Sequence, residues 1–431
     1  MVSAEGEDVT VTIDGPAVAS AANLDRQFRY TARDWTATVQ FVIDGEVTTF
    51  AITDGHIATS DAVEADVRIS GPAAQWERML AQVPPPGSTI LVVTEGMEVI
   101  GDMVAHTGPY GPAIYRLMRL TSAVLHGPVE PILVESYPFK DSDNAVGQYL
   151  YVDVDGVEYR VYYETAGQGT PLLLQHTAGA DNRQWRHLLA DPAMQAKYQM
   201  FAYDLPYHGK SVPPTHGVSW WEQDYEVSKE DLHHRVVAIK RALDLDRPIF
   251  MGVSVGGQLA PELVGHYPDE FRGAVSVNGW YSMEGWEDFP MDKFHHPRIH
   301  PDQFAGMNYE ATSPLAPEPF RRETAWVYAS NGPAVYKGDN EYFAWKHDLR
   351  EDGHLVDTSK TPLAVVACEY DMAYDKPNGS KAISDHIPGS TFHVMEGLSH
   401  FAMHDDPFRF NRGIEPILDQ VAEAAQKIAQ A

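Results

Sequence analysis

The sequence has little cysteine, and this scarcity limits the chemistry that can hold the fold together. Among its 431 residues there is one cysteine, Cys368. A single thiol cannot form a disulfide within the chain, and neither Cys-x-x-Cys nor His-Glu-x-x-His occurs. Because Cys368 ends the apolar run 362–368, we expect it to fill a core. The sequence therefore predicts neither a metal nor a cofactor.

Basic residues and long apolar runs are also scarce. Lysine and arginine number 32 against 61 aspartates and glutamates, which gives a net charge of −29. Such an excess of negative charge disfavours nucleic acid and anionic membranes as partners, whereas a small neutral molecule is indifferent to it. No run of about 18 apolar residues is present. Residues 1–8 contain neither a basic nor an apolar stretch, so no signal peptide is visible. These features predict a cytoplasmic protein without an integral membrane segment.

A short apolar run ends in the pattern Gly-x-Ser-x-Gly at 252–256, and a helix-forming segment follows it. This order predicts a strand-to-helix turn that lifts the Ser254 hydroxyl clear of a sheet edge. The turn is so tight that side chains at Gly252 and Gly256 would collide. A plain turn with a helix-capping serine has the same local pattern, so the assignment depends on the rest of the chain.

The N-terminal third, from about residue 8 to 126, is predicted to form one α+β unit. Alternating polar and apolar residues separated by Asp-Gly turns predict hairpins in an antiparallel sheet. The predicted elements, in order, are strands at 36–41, 47–52, 56–58 and 65–70, a helix at 73–82, a segment at 99–102 and a helix at 115–125.

This arrangement resembles the sterol-carrier-protein type of lipid-binding domain. The resemblance lies in 41–45, 65–71, Trp76 and 99–102. It implies an apolar tunnel for a lipid-like ligand and no catalytic group. The alternative is a structural or dimerising role, in which case the protein would be a homo-oligomer. We place this domain at 1–126 and a proline-containing extended linker, with a charged patch at 140–143, at 127–147.

Residues 148–431 alternate strands with helices, which predicts a parallel sheet covered on both faces. From 279 to about 357 this alternation stops and aromatic residues become frequent, which indicates a cap inserted over a pocket. The predicted elements are a hairpin at 148–163, strands at 171–175, 200–205, 273–278, 362–368 and 392–395, and a helix at 230–243.

Four ordered motifs in this region resemble those of the α/β-hydrolase family. They lie at 172–176, 204–211, 252–256 and 397–400. The resemblance implies an α/β fold, the α/β-hydrolase fold with a cap insertion, over 148–431. Two positions depart from the family pattern, because Tyr207 stands where glycine is usual and Thr177 follows His176 where the family has His-Gly.

The resemblance also implies a Ser-acid-His triad in that chain order. Ser254 is the implied nucleophile and His400 the base that activates it. The acid is expected after the strand at 362–368; Asp371 matches the family position best, with Asp375 as the alternative and Glu369 too close to the strand end.

Further residues are expected around this triad. The backbone N–H groups of Ala178 and Val255 are the candidates for an oxyanion hole. The residues expected near the substrate are His176, Thr177, Trp221, Trp280 and His296.

These features predict a serine hydrolase that cleaves a carboxylic ester of a small or medium apolar substrate through an acyl-enzyme. A hydrolase of carbon–carbon bonds in ring-fission diketones would use the same triad. That activity would favour a basic residue near the pocket, for which Arg183, Arg321 and Arg322 are candidates. A non-catalytic ligand-binding protein is the third possibility, but it would be expected to carry a broken triad.

Overall fold

The computed structural model describes residues 11–134, 144–286 and 289–430. The predicted charged patch at 140–143 and much of the predicted linker lie outside these ranges. The described residues form two sheets, one of five strands and one of eight, and each sheet has its own apolar core.

The five-stranded sheet has the order β3-β2-β1-β4-β5. Its strands are β1 (Thr36–Ile43), β2 (Glu46–Thr53), β3 (His56–Thr59), β4 (Val67–Gly71) and β5 (Glu98–Gly101), with helices α1 (Gly15–Leu24), α2 (Arg26–Thr31), α3 (Ala73–Met79) and α4 (Gly111–His126). Trp76 is buried between the sheet and these helices, and its indole N–H donates to the Val42 carbonyl at 2.9 Å.

The prediction of a purely antiparallel sheet is wrong at one pair. Strands β1 and β4 run parallel, with Val39 opposite Val67. The cause is the connection at 60–66, which carries the chain past β2 to the far side of β1, so that β4 enters from the same end as β1.

Helices α1 and α2 were not predicted from the sequence. Each begins after an aspartate, Asp14 or Asp25, whose carboxylate accepts a backbone N–H of the first turn.

The eight-stranded sheet has the order β13-β12-β11-β10-β8-β9-β7-β6. The strands from β13 through β9 are parallel, whereas β7 is antiparallel to both β9 and β6. The strands are β6 (Val146–Val154), β7 (Val157–Ala166), β8 (Thr170–Gln175), β9 (Tyr198–Tyr203), β10 (Ile249–Val253), β11 (Gly273–Val277), β12 (Leu363–Cys368) and β13 (Thr391–Met395).

Helices cover both faces of this sheet, which is why β10, β11 and β12 are buried along their whole length and, apart from Ser276 in β11, carry no polar side chain. Four of the helices, α9 to α12, lie in the segment between β11 and β12. The helices are α5 (Arg186–Leu189), α6 (Pro192–Lys197), α7 (Lys229–Ala242), α8 (Val255–His266), α9 (Pro301–Glu310), α10 (Glu318–Ala329), α11 (Pro333–Glu341), α12 (Leu349–Asp352), α13 (Ser380–His386), α14 (Ala402–Asp405) and α15 (Pro407–Gln430).

The two sheets are linked through α4 and α9. Arg119 of α4 donates to Glu310 at 3.3 Å, and Pro112 packs so closely on Gly306 that a side chain there would clash. Among the described residues, no helix is long and apolar enough to cross a membrane.

Candidate active site

Ser254 lies between β10 and α8 on a strained turn. Its backbone has φ +60° and ψ −114°, a conformation that costs a non-glycine residue energy and is typical of functional positions. A side chain added at Gly252 would lie 2.4 Å from the backbone of Gly256, so the turn can close only with glycine there. The Ser254 N–H donates to the Val277 carbonyl at 3.0 Å, which fixes the turn against β11. Ser254 is only 4 % exposed, so its environment excludes most water.

His400 and Asp371 form a buried pair at the same edge of the sheet. Asp371 lies just after β12 and His400 just after β13, and the carboxyl ends of these parallel strands are neighbours. The imidazole Nδ1 contacts Asp371 Oδ2 in a short hydrogen bond. The other carboxylate oxygen accepts the Ala373 N–H at 2.7 Å, which orients the acid. This arrangement can hold one tautomer of the imidazole with Nε2 available to a nucleophile.

The two alternative acids lie elsewhere. The Glu369 carboxylate accepts the N–H of Gly397 at 2.8 Å and so supports the loop that carries His400. Asp375 is exposed. Of the three carboxylates considered from the sequence, Asp371 alone contacts the His400 ring in the described part of the chain.

Asn278 supports both loops of the pair, and sequence reasoning did not single it out. It directly follows β11 and has φ +52°. Its amide oxygen accepts the Cys368 N–H at 2.8 Å, and its amide nitrogen donates to the Ser399 carbonyl at 3.0 Å. One buried side chain therefore joins the strand end before Asp371 to the backbone just before His400. An asparagine directly after an apolar strand is too common a pattern to have indicated this role.

The loop after β8 leaves one backbone donor without a partner. Thr177 N–H donates to the Gln184 side chain at 3.0 Å, and Gly179 N–H donates to Asp339 at 2.8 Å. Within the described ranges, neither Ala178 N–H nor Val255 N–H donates a hydrogen bond. Unpartnered N–H groups at this edge of the sheet are suited to stabilising an oxyanion.

His176 holds the loop from inside the fold. It is fully buried; its Nε2 accepts the Leu205 N–H at 3.1 Å, so Nδ1 carries the proton and donates to the Thr177 carbonyl at 2.8 Å. Burial, together with the neighbouring His208, lowers the pKa of His176 to about 4 and keeps the ring neutral. These contacts join the ends of β8 and β9 and use both ring nitrogens.

The departure from His-Gly at Thr177 is matched by contacts from the inserted segment. The Thr177 hydroxyl makes a short hydrogen bond with the Tyr328 hydroxyl of α10. The left-handed residue of the loop is Gly179, with φ +58°, and a side chain there would collide with Tyr336 of α11. The loop conformation therefore depends on the inserted helices rather than on a glycine directly after His176.

Asp339 of α11 joins the same loop to the motif at 204–211. Its carboxylate contacts His208 Nε2 at 2.7 Å as well as the Gly179 N–H. Burial alone would lower the pKa of His208, but the Asp339 carboxylate outweighs it and raises that pKa. Burial likewise acts to raise the pKa of Asp339, and His208 reverses this, so the pKa is lowered. The geometry and these shifts describe a buried ion pair.

Tyr207, the second departure from the family pattern, adopts φ +76°. Glycine tolerates this region and tyrosine rarely does. Its ring lies 4.9 Å from that of Tyr225 and 6.3 Å from that of Tyr159, and this packing offsets the backbone cost.

The other predicted pocket residues are dispersed. Trp221 is 67 % exposed, with its ring against Trp220. His296 is half-buried, and its Nδ1 accepts the Arg298 N–H at 3.1 Å. Trp280 is buried and borders an open cavity of about 500 Å³. Among the described residues, its lining combines Val92 and Val93, which precede β5, with Trp280, Trp286, Phe289 and Met372 and with the polar Glu284, Lys376 and Asn378, whereas Ser254, Asp371 and His400 do not line it.

Comparison with known proteins agrees with this fold. The family model described as alpha/beta hydrolase fold matches residues 170–407, which is more than half of the chain. The chain belongs to the α/β-hydrolase family and is an enzyme of this class.

Its relatives and structural neighbours are hydrolases of several kinds. The chain is 25 % identical over 289 residues to proline iminopeptidase of Lacticaseibacillus rhamnosus, covering 59 % of this chain and 92 % of the relative. It is 30 % identical over 145 residues to a 2-hydroxy-6-oxononadienedioate/2-hydroxy-6-oxononatrienedioate hydrolase of Burkholderia vietnamiensis, covering 32 % and 46 %. An esterase structure from Thermogutta terrifontis superimposes with a TM-score of 0.54 at 17 % identity, covering 64 % of this chain and 99 % of the neighbour. These likenesses support the fold and a general hydrolase function.

Proposed function

We propose that this enzyme is a serine hydrolase that cleaves a carboxylic ester of a small or medium apolar substrate. Ser254 attacks the ester carbonyl while His400 takes its proton, and the same proton then passes to the departing alcohol. Water, activated by His400, hydrolyses the acyl-enzyme and returns Ser254 to its free form. Asp371 holds the imidazole tautomer and stabilises the imidazolium. The Ala178 and Val255 N–H groups bind the oxyanion, each contributing on the order of 10²-fold or more to the rate.

One observation carries this proposal: the strained turn of Ser254 and the buried Asp371–His400 pair occur at the same edge of one parallel sheet. The Ser254 hydroxyl makes no hydrogen bond to another described residue. Catalytic contacts of this kind are often long before substrate binds.

The apolar character of the substrate is inferred from the inserted segment, which we propose acts as a cap over about 279–357. Its aromatic side chains pack on one another, as in the 4.4 Å stack of Phe304 on Tyr336. Trp280, at the start of the segment, lines the cavity beside Asp371's neighbour Met372. A pocket bordered by such groups favours an apolar acyl or alcohol part.

Cleavage of a carbon–carbon bond in a diketone is the second candidate, and the relative from Burkholderia vietnamiensis favours it. Such a substrate carries a carboxylate that a cation would bind. The three candidate arginines are all engaged with carboxylates: Arg183 with Asp181, and Arg321 and Arg322 both with Glu318. Lys376, however, also lines the cavity that Trp280 borders, so these three ion pairs do not decide between the two substrates, and the ester stays the first proposal.

We further propose that residues 1–126 form a sterol-carrier-like domain, joined through a linker at 127–147 to the hydrolase domain at 148–431, and that this domain holds or delivers an apolar, lipid-like substrate. Val92 and Val93 of this domain border the same cavity as Trp280, which supports the idea that the two domains share one substrate path. A homo-oligomer and a cytoplasmic location remain part of the proposal.

Turnover of p-nitrophenyl esters, from acetate to decanoate, tests the reaction. The wild type should show a burst of p-nitrophenol, and Ser254→Ala should lose at least about 10³-fold in kcat. The control is Ser359→Ala, at an exposed serine far along the chain from any predicted motif, which should behave as wild type. A wild type inactive on every ester but active on a ring-fission diketone would shift the assignment to carbon–carbon cleavage.

A further inference from the structure

Three side chains that the proposed mechanism does not use meet at one buried point. They are His187 of α5, Glu323 of α10 and His404 of α14, and the atoms that could bind an ion all lie within 4.8 Å of one another. The Glu323 carboxylate lies 3.2 Å from His187 Nε2 and 3.4 Å from His404 Nε2. Both imidazoles are almost completely buried, whereas Glu323 is partly exposed and offers a way in from solvent.

The hydrogen bonds around His404 leave its Nε2 facing an acceptor. The Thr324 hydroxyl lies 3.1 Å from the Phe320 carbonyl and 3.0 Å from His404 Nδ1; when it donates to the carbonyl, its oxygen accepts from Nδ1. In the neutral imidazole, Nδ1 then holds the only ring proton and Nε2 is a bare lone pair. Nε2 is buried without a hydrogen-bond partner, and the nearest polar group is the Glu323 carboxylate, which is also an acceptor. In this tautomer a lone pair and a carboxylate face each other, and a cation between them would stabilise the arrangement.

The spacing fits a bound metal ion. Zinc binds imidazole nitrogen and carboxylate oxygen at about 2.0–2.2 Å, which places neighbouring ligand atoms of a tetrahedral site about 3.3 Å apart. His187 Nε2 lies 3.2 Å from Glu323 Oε2 and His404 Nε2 lies 3.4 Å from Glu323 Oε1, so each imidazole is at about this spacing from a different carboxylate oxygen, and small side-chain shifts would let the three groups share one ion. The neighbouring contacts also fit, because Thr324 contacts His404 Nδ1 and Arg186 contacts the Glu323 carboxylate, and hydrogen-bond partners of this kind commonly orient metal ligands.

We propose that His187, Glu323 and His404 bind a divalent transition-metal ion, of which zinc is the best match to two imidazoles and one carboxylate. Water from the exposed side of Glu323 would complete the coordination. Arg186 is a positive charge beside the site and lowers its affinity, but its side chain is partly solvated, so the repulsion is screened. The sequence did not indicate this site because the outer two ligands are separated by 217 positions, the difference between 404 and 187.

The position of the ion gives it a structural role. Glu323 belongs to α10 of the inserted segment, whereas His187 and His404 belong to the helices α5 and α14 of the hydrolase core. His404 is four residues after His400, on the short helix that follows the candidate catalytic loop. The ion would therefore fasten the inserted segment to the core next to that loop, and it takes no part in the ester chemistry itself.

The experiment uses the full chain, dialysed against a chelator and titrated with Co²⁺ and then with Zn²⁺. Wild type should bind one equivalent of Co²⁺ with the strong visible absorption of a tetrahedral site, and Zn²⁺ should displace it. Glu323→Gln and His404→Gln should each weaken Co²⁺ binding by at least about tenfold. The matched control is His300→Gln, at an exposed histidine, which should bind as wild type does.

Thermal unfolding of the metal-free proteins shows which variants are folded. If the buried His404→Gln variant does not fold, Co²⁺ binding can still be compared between wild type and Glu323→Gln, because Glu323 is partly exposed. The proposal is overturned if wild type gives no saturable Co²⁺ absorption. It is also overturned if Glu323→Gln and wild type bind Co²⁺ with the same affinity.

Discussion

The Asp371 carboxylate contacts His400 directly, whereas the nearby Asp375 is exposed. Asp371→Asn would present an amide in place of the charge and favour the wrong imidazole tautomer. We expect kcat for ester hydrolysis to fall by about 10⁴-fold with little change in KM. Asp375→Asn is the matched control and should keep wild-type kinetics. The reverse pattern, with Asp375→Asn inactive, would transfer the role of the acid to Asp375.

Asn278 acts through the residues it positions. Asn278→Ala leaves the Cys368 N–H and the Ser399 carbonyl without this partner inside the fold. A buried unpaired group costs about 1–3 kcal/mol in the free energy of unfolding. We expect that loss by urea denaturation, together with a kcat that falls more than KM changes. Asn340→Ala, which removes only a bond to the carbonyl of Tyr336, should reduce kcat little. An Asn278→Ala enzyme with unchanged kcat would contradict the positioning role.

At the scale of elements, α11 matters because Asp339 fixes the loop after β8. His208 has a raised pKa, so its contribution to stability is present below its ordinary value of about 6.5 and disappears as pH rises through the folded value. Asp339 has a lowered pKa, so its contribution is present above about 3.8 and disappears as pH falls through the folded value. The pair should therefore stabilise the fold most between about pH 4 and 6.5.

Asp339→Asn tests this window. Removing one partner of a buried ion pair costs about 3 kcal/mol, so the difference in unfolding free energy from wild type should be near this value at about pH 5.5. The difference should become smaller as pH rises through the raised pKa of His208 in the folded protein, above which the ring is neutral in both proteins. Chemical denaturation at pH values on either side of that pKa measures it, and Asp302→Asn, at an exposed aspartate, is the control. A difference independent of pH would show that Asp339 and His208 do not form an ion pair.

The elements that the sequence predicted are those with local signals. Strand β10 and helix α8 are recognisable because an apolar run, two glycines and a serine lie within a few residues. Helices α1 and α2 were missed because alanine-rich and mixed segments have no clear apolar stripe, although Asp14 and Asp25 cap them. Asp339 could not be assigned to the loop at Gly179, because only the folded chain brings residues 160 positions apart together.

For the whole molecule, the cavity lined by both Val92 and Trp280, which the proposed N-terminal and hydrolase domains would share, is the feature to test. Val92 borders it from the N-terminal domain. Val92→Trp should narrow it, so kcat/KM for p-nitrophenyl decanoate should fall several-fold while that for acetate changes little, because only the long chain needs the space. Val63→Trp is the control, since Val63 belongs to the same domain, is 91 % exposed and does not line the cavity. Equal effects on both esters would show that the N-terminal domain does not contribute to substrate binding.

Covalent labelling of the active serine tests the central claim most directly. The wild-type protein is incubated with an alkyl fluorophosphonate, and the modified residue is identified by peptide mass spectrometry. The proposed mechanism predicts one adduct per chain, on Ser254, which is absent in Ser254→Ala and forms much more slowly in Asp371→Asn. An adduct on another residue, or ester turnover that continues after Ser254 is fully modified, would contradict it.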